Sequence, residues 1–408
     1  MSRQAFLIPV ALVLIAAAGS PANPPGWTPA DPPAGPGAMA PSLTVAGVAG
    51  VAGKDVLLTW LEPLGPPKEP TGHQLRFARL SAGGWSKPAT IASGPGFFAN
   101  WADFPGVGQA PDGSLSAHWL AKMGDDTYAY GIYLARSADG GATWAKTGML
   151  HDDNIPAEHG FVSWVAGPAG LRAFWLDGRE TPKKGPMTLR TAMLDHGTPK
   201  TSELVDGRVC DCCQTDAALA ADGPVVAFRD RTADEVRDIY VARWTATGWS
   251  KPVRAGADDW KIPGCPVNGP AIAASGKQVA VAWFTAAPPG PRVQLAVSSD
   301  GGATFAKPVL IDTGKPLGRV DLVLDGKDAV VSWMSLVGDN AVIRLRRVSA
   351  KGRMGNPVAI AATSAARGSG FPRLAVQAGR LHVAWVEEGD QGRRVRMGSL
   401  PLKSIGPG

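Results

Sequence analysis

Helix-like runs are scarce in this 408-residue chain, which instead carries 51 Gly and 36 Pro. That composition argues against a helical bundle and for a fold with many turns. Although the net charge is +6, no block of Lys or Arg occurs, so anionic ligands gain slight support and nucleic acid little. Phosphate loops, dinucleotide fingerprints and a Ser-His-Asp pattern are missing too, which leaves nucleotide cofactors and triad chemistry without residues to carry them. Cysteine and tyrosine are rare, at four each. What remains, 45% hydrophobic and 19% charged, describes a globular chain able to bury a large core, most simply an all-β fold.

The ends read differently from the middle. Arg3 precedes an apolar run over residues 5–18, followed by the small residues Gly19, Ser20 and Ala22, so residues 1–22 read as a secretory signal. The run is too short to span a bilayer, and no Cys near the cleavage region offers a lipid anchor. A periplasmic or secreted protein is expected. Residues 23–40, rich in Pro and Gly, form an extended lead-in to one domain over residues 41–402.

Within that domain a unit repeats. Its second strand is the clearest marker: Val56-Leu-Leu-Thr-Trp60, Leu115-Ser-Ala-His-Trp119, Leu171-Arg-Ala-Phe-Trp175, Val225-Val-Ala-Phe228, Val279-Ala-Val-Ala-Trp283, Ala329-Val-Val-Ser-Trp333 and Leu381-His-Val-Ala-Trp385. Seven markers at the spacing of a four-stranded blade predict a β-propeller of antiparallel blades, with seven blades favoured and six as the alternative. The corner after the third strand is the constant one. It appears as Ser137-Ala-Asp-Gly-Gly-Ala-Thr-Trp144 and again as Ser298-Ser-Asp-Gly-Gly-Ala-Thr-Phe305, a tight turn with an aromatic plug. Because no fourth strand follows Leu400, and Gly26-Trp-Thr-Pro29 resembles Gly84-Trp-Ser-Lys-Pro88, the lead-in is expected to complete the last blade.

These corners resemble the Asp box of the sialidase (bacterial neuraminidase repeat) superfamily, with Ser137, Asp139, Gly141, Thr143 and Trp144 in one copy and Ser298, Asp300, Gly302, Thr304 and Phe305 in the other. The resemblance implies a propeller scaffold and, as an expectation, an exo-acting glycosidase on acidic sugars. In such enzymes arginines clamp the substrate carboxylate, a carboxylic acid donates a proton, and a Tyr activated by Glu attacks the sugar. Tyr128 and Tyr130, flanking a joining loop, are the tyrosines placed to substitute for the nucleophile.

Antiparallel topology separates scaffold from site. Loops entering the first strands share one face with loops joining second to third strands, and the Asp-Gly-Gly corners lie on the other. The first face carries Asp103, Glu158 and Asp216 as candidate acids or bases, and Arg179, Arg229, Arg231, Arg319 and Arg373 as a candidate clamp. An acidic glycan or other acidic small ligand is the expected partner, and the alternative is a non-catalytic propeller that binds a metal ion or a protein partner through the Cys-rich mouth. All four cysteines, Cys210, Cys212, Cys213 and Cys265, fall in entry loops of two consecutive units on that face. They are read either as disulfides pinning adjacent blades, for instance from the 210–213 cluster to Cys265, or as a soft-ion site for copper or zinc that His159 joins. No other cofactor is required.

Overall fold

Apolar residues that alternate between two covered faces need a neighbour on each side, and the repeat supplies one. In the second strand of the fifth unit, Ala280 and Ala282 enter one core cluster while Val279, Val281 and Trp283 enter another, all of them fully buried. This explains why the second strands read as continuous apolar runs. The computed structural model describes residues 23–47, 53–389 and 392–406. The expected signal segment, residues 1–22, lies outside the described residues.

Each repeat is one antiparallel sheet, and there are seven. Blade one holds Met39–Val45, Val56–Leu64, Gly72–Ser81 and Ala89–Gly94. Blade two holds Gly106–Gln109, Leu115–Lys122, Tyr130–Ser137 and Ala145–Met149; blade three His159–Gly167, Gly170–Asp177, Thr188–Asp195 and Glu203–Asp206. Blade four is Asp216–Ala220, Gly223–Arg229, Ile239–Thr245 and Val253–Arg254; blade five Ala271–Ser275, Gln278–Thr285, Arg292–Ser298 and Val309–Asp312. Blade six is Pro316–Asp325, Asp328–Val337, Asn340–Val348 and Val358–Ser364, and blade seven Arg373–Gln377, Arg380–Gly389 and Gly392–Pro401. The outer strand of blade seven is Thr28–Pro29, in register with Ser399 and Gly398. First strands of successive blades pack against one another around the axis, from blade one round to blade seven. Among the described residues no helix is long and apolar enough to cross a membrane.

Four of the marker tryptophans are tied as well as buried. Trp60 Nε1 donates to Glu62 (2.7 Å), Trp175 to Asp177 (2.8 Å), Trp283 to Asp258 (2.7 Å) and Trp333 to Asp312 (2.6 Å). A buried indole N–H without an acceptor costs stability, so a carboxylate meets each of these four, whereas Trp385 Nε1 of blade seven is buried without a partner among the described residues.

The two Asp-Gly-Gly corners have the same bonding. Ser137 Oγ donates to Asp139 and accepts the Gly141 N–H at 2.8 Å, while Asp139 accepts both the N–H and the hydroxyl of Thr143. Ser298, Asp300, Gly302 and Thr304 repeat this set. Gly141 sits at φ +97°, and a Cβ there would lie 2.1 Å from the Phe77 ring of blade one, so both its conformation and its space exclude a side chain. Trp144 closes the corner by packing edge-on against Phe77. Ser137 is buried, and Ser137→Ala leaves the Gly141 N–H unpaired; the expected cost is about 1–3 kcal/mol in urea unfolding. An unchanged midpoint would show that the corner does not hold the blades.

Candidate functional site

The polar entry-loop residues do a structural task first. Asp103 Oδ1 accepts the Phe161 N–H (2.8 Å), Gln214 that of Gly269 (2.9 Å), Asp216 that of Ile272 (2.8 Å), Asn268 that of Arg319 (2.7 Å) and Asp321 that of Leu374 (2.7 Å). Each bond spans one repeat and joins a blade to the next. At Gly160 a Cβ would fall 2.0 Å from Asp103 Oδ2, so the close approach of these two loops requires glycine.

Asp216 also lines the central channel, a cavity of about 90 Å³ that it shares with Ser42, Thr44, Ser163, Thr215 and Arg373. Burial pushes its carboxyl up to about 7, with Arg373 pulling the other way. A carboxyl held above its unfolded value binds a proton that the unfolded chain has released, so its contribution is complete below about pH 4 and is lost as pH rises through about 7. Asp216→Asn keeps the acceptor and removes the titration. Its urea midpoint is expected to differ less between pH 5 and pH 8 than that of the parent; equal pH slopes would refute this placement of the proton.

The five clamp arginines are all occupied by the protein. Arg229 is buried and donates to the carbonyls of Asn268 (2.8 and 3.0 Å), Arg237 (2.6 Å) and Phe284 (2.8 Å). Arg319 donates to Ser369, Gly370 and Ala366, and burial lowers it to about 10. Arg179 binds Asp177 and Asp152, Arg231 binds Asp211 and Glu235, and Arg373 stands 3.4 Å from Asp321. Two of them, Arg319 and Arg373, nevertheless border the mouth, where an aromatic platform has formed. Trp101 stacks on Phe371 at 5.9 Å, Arg319 lies 5.1 Å from the Trp101 ring centroid, and Arg373 lies 5.0 Å from that of Phe104. Arg367, exposed, reaches the same Trp101 at 6.0 Å and makes no ion pair among the described residues. Sequence reasoning passed over Arg367 because a single Arg in a Gly/Ser loop carries no pattern.

Beside the platform a phenol and two carboxyls meet. Tyr130 Oη donates to Glu158 Oε1 at 2.8 Å and lies 3.5 Å from Asp103 Oδ2. Burial raises all three groups: Glu158 to about 7, with Asp211 and Cys210 adding repulsion, and Asp103 and Tyr130 well above their ordinary values. Tyr130 is fully buried under the stacked ring of Phe98, 4.1 Å away, whereas Glu158 is partly exposed. The tyrosine therefore positions Glu158 and has no open path to a substrate. Tyr128 is 58% exposed, and its backbone carbonyl accepts the Tyr130 N–H at 3.1 Å.

The cysteines gather as their shared face required. Cys212 and Cys265 form a disulfide between neighbouring entry loops, and Cys210 and Cys213 remain as buried thiols, Sγ to Sγ 3.0 Å. The Cys213 hydrogen bond lowers Cys210 to about 6, helped by Arg237, whose guanidinium lies 3.3 Å from Cys210 Sγ. His159, expected to join the cysteines, instead turns its Nε2 toward Asp153 and Asp177. A larger cavity, about 480 Å³, lies on the opposite face among Gly167, Arg172, Lys200 and Trp244, and brings no pair of carboxyls together.

No protein-family model matches the sequence, and no curated protein matches it. Solved structures do share its shape. A protein of unknown function from Dyadobacter fermentans DSM 18053 is similar at 16% identity and a TM-score of 0.52, over 94% of this chain and 100% of that one. A polysaccharide lyase of family PL25, an ulvan lyase bound to a GlcA–Rha3S repeat, is similar at 12% identity and a TM-score of 0.57, over 93% and 100%. Trypanosoma rangeli sialidase in complex with the inhibitor DANA follows at 11% identity and 0.46, over 80% of this chain and 57% of that one. At such identities the likeness to the first two speaks to the fold alone.

Proposed function

We propose that the protein is an exported, sialidase-like propeller that takes an acidic glycan at its entry-loop face and cleaves it with Glu158 as the proton-transferring group. The observation that carries this reading is the Trp101 platform, bordered by the unpaired guanidinium of Arg367 and lying two residues from Asp103, which closes the Tyr130–Glu158 pair. Trp101 is half-buried, and the part of its indole left open together with the cation beside it favours a sugar ring that carries a carboxylate or sulfate. The PL25 lyase of the same fold makes acidic polysaccharides the first class to test. Export fits the Cys212–Cys265 disulfide, a bond that persists in oxidising compartments.

The test is equilibrium binding and product release on a panel of sialosides, uronate oligosaccharides and sulfated oligosaccharides. Trp101→Ala is expected to weaken binding about 10-fold, the loss of one stacking and cation–π contact. If no acidic glycan binds, or if Trp101→Ala binds as tightly as the parent, the reading fails; binding without product release would leave a lectin and remove the catalytic part.

A further inference from the structure

Beneath the Cys212–Cys265 disulfide, which joins the entry loops of blades four and five, lies a second pair of sulfurs. Cys210 and Cys213 are buried thiols whose Sγ atoms stand 3.0 Å apart, about 1 Å more than a disulfide bond of about 2.05 Å. Cys210 Sγ is also 4.0 Å from Cys212 Sγ, so it faces both its thiol neighbour and one end of the disulfide. The other end is open, since Cys265 is exposed and Cys212 half-buried. The four sulfurs thus form one connected path from the interior to solvent.

A buried thiol in apolar surroundings keeps its proton and is inert. Cys210 is placed otherwise: the Cys213 thiol and the Cys212 N–H donate to it, and Arg229 and Arg237 add positive charge, Arg237 Nη1 at 3.3 Å. Cys213 moves the opposite way, raised by its burial and by the bond it gives to Cys210. The pair therefore holds a thiolate on Cys210 and a proton on Cys213. A thiolate is the form that attacks a disulfide sulfur. Nor do the loops depend on the sulfur bridge. Gln214 accepts the Gly269 N–H at 2.9 Å and Arg229 donates to the Asn268 carbonyl at 2.8 and 3.0 Å across the same junction. A Cβ at Gly269 would lie 2.1 Å from the Gln214 carbonyl oxygen, so the two backbones are already in close contact there.

We propose that the four cysteines are a thiol–disulfide exchange centre whose substrate is an external disulfide, with Cys210 and Cys213 as the electron store and Cys212 and Cys265 as the exposed contact. In the internal step Cys210 bonds to Cys212 Sγ, the Cys212–Cys265 bond breaks, and its electron pair leaves on Cys265, which takes a proton from solvent. Cys213 then gives up its proton and bonds to Cys210, while Cys212 departs as a thiolate and takes up that proton. One disulfide and two thiols stand on each side, so this step consumes no oxidant. In the external step deprotonated Cys265 bonds to one sulfur of the substrate and expels the other; Cys212 displaces the second and bonds again to Cys265. The two protons of the pair go to the released thiolates, and two electrons have passed from the buried pair to the substrate. The centre is independent of glycan binding.

The experiment uses the full chain, poised at two thiols per chain in a glutathione buffer and then freed of glutathione by gel filtration. During incubation with N-ethylmaleimide at mildly alkaline pH, acid-quenched peptide maps should show Cys212–Cys265 giving way with time to Cys210–Cys213, with label accumulating on Cys265 and Cys212. In Cys210→Ser the labelling of Cys265 should fall at least about 10-fold, and in Cys213→Ser it should persist with Cys210 bonded to Cys212. Given oxidised glutathione in place of the label, the parent should release two glutathione molecules per chain and finish with both disulfides. Should the variants fail to fold, the time course of the parent's map decides. A map that does not change with time, label confined to Cys210 and Cys213 above an intact Cys212–Cys265 bond, no release of glutathione, or parental labelling of Cys265 in folded Cys210→Ser would overturn the centre.

Discussion

Arg229→Ala is expected to lower the unfolding free energy by about 3–5 kcal/mol, the largest effect of any single substitution considered for this fold. The guanidinium is buried and serves three carbonyls from three segments: Asn268 at the entry to blade five, Arg237 before the third strand of blade four, and Phe284 in the second strand of blade five. It also rests 4.9 Å from the Trp260 ring centroid. Removing it orphans all three acceptors and opens a void beneath the indole, so transfer, cavity and hydrogen-bond terms point the same way. Urea unfolding measures the loss. If Arg229→Ala instead keeps its stability and loses affinity for an acidic glycan, the side chain belongs to the clamp and its burial is misread.

Glu158→Gln should leave the fold intact and reduce turnover of a cleavable acidic glycan by about 10²–10⁴-fold, the usual contribution of a positioned proton-transfer group. The amide oxygen still accepts the Tyr130 hydrogen bond, so geometry survives while the proton is lost. Binding should be nearly unchanged, separating a loss in kcat from a rise in KM. Tyr130→Phe, which removes only the positioning bond, should fall between parent and Glu158→Gln. Full turnover by Glu158→Gln would assign the chemistry elsewhere.

The architecture was legible because its signals are local. Trp60, Trp175, Trp283 and Trp333 each end an apolar run that has to be covered on both sides, and the two Asp-Gly-Gly corners write their turn into consecutive residues. The Gly26-Trp-Thr-Pro29 segment carried its strand role in its likeness to Gly84-Trp-Ser-Lys-Pro88, and Thr28–Pro29 pairs with the last blade. The gathering of Cys212 and Cys265 followed from topology alone.

The roles of the site residues were less legible, for a physical reason. Asp103, Asp216 and Asp321 bind backbone N–H groups one repeat away, and a peptide N–H has no signature in sequence. A carboxylate that joins blades and one that meets a ligand look alike until the acceptor's partner is seen. The arginines illustrate the same point: Arg229 reads as a charge in a polar loop, yet its donors end on main-chain carbonyls. Recurrence was the missed clue, since Asp216, Asn268 and Asp321 stand at about the same place in three successive units, with Asp103 two units before Asp216.

The proposed ligand binds at the entry-loop face. A photoreactive acidic oligosaccharide, cross-linked to the full chain and mapped by peptide mass spectrometry, tests this most directly. The prediction is labelling of Trp101, Glu158 and Arg367 and their loops, diminished in Trp101→Ala and unchanged in Ser137→Ala at a denaturant-free temperature where that variant is folded. Labelling concentrated instead at Ser137 to Trp144, at Ser298 to Phe305, or along the cavity at Arg172 and Trp244 would place the ligand on the opposite face and contradict it.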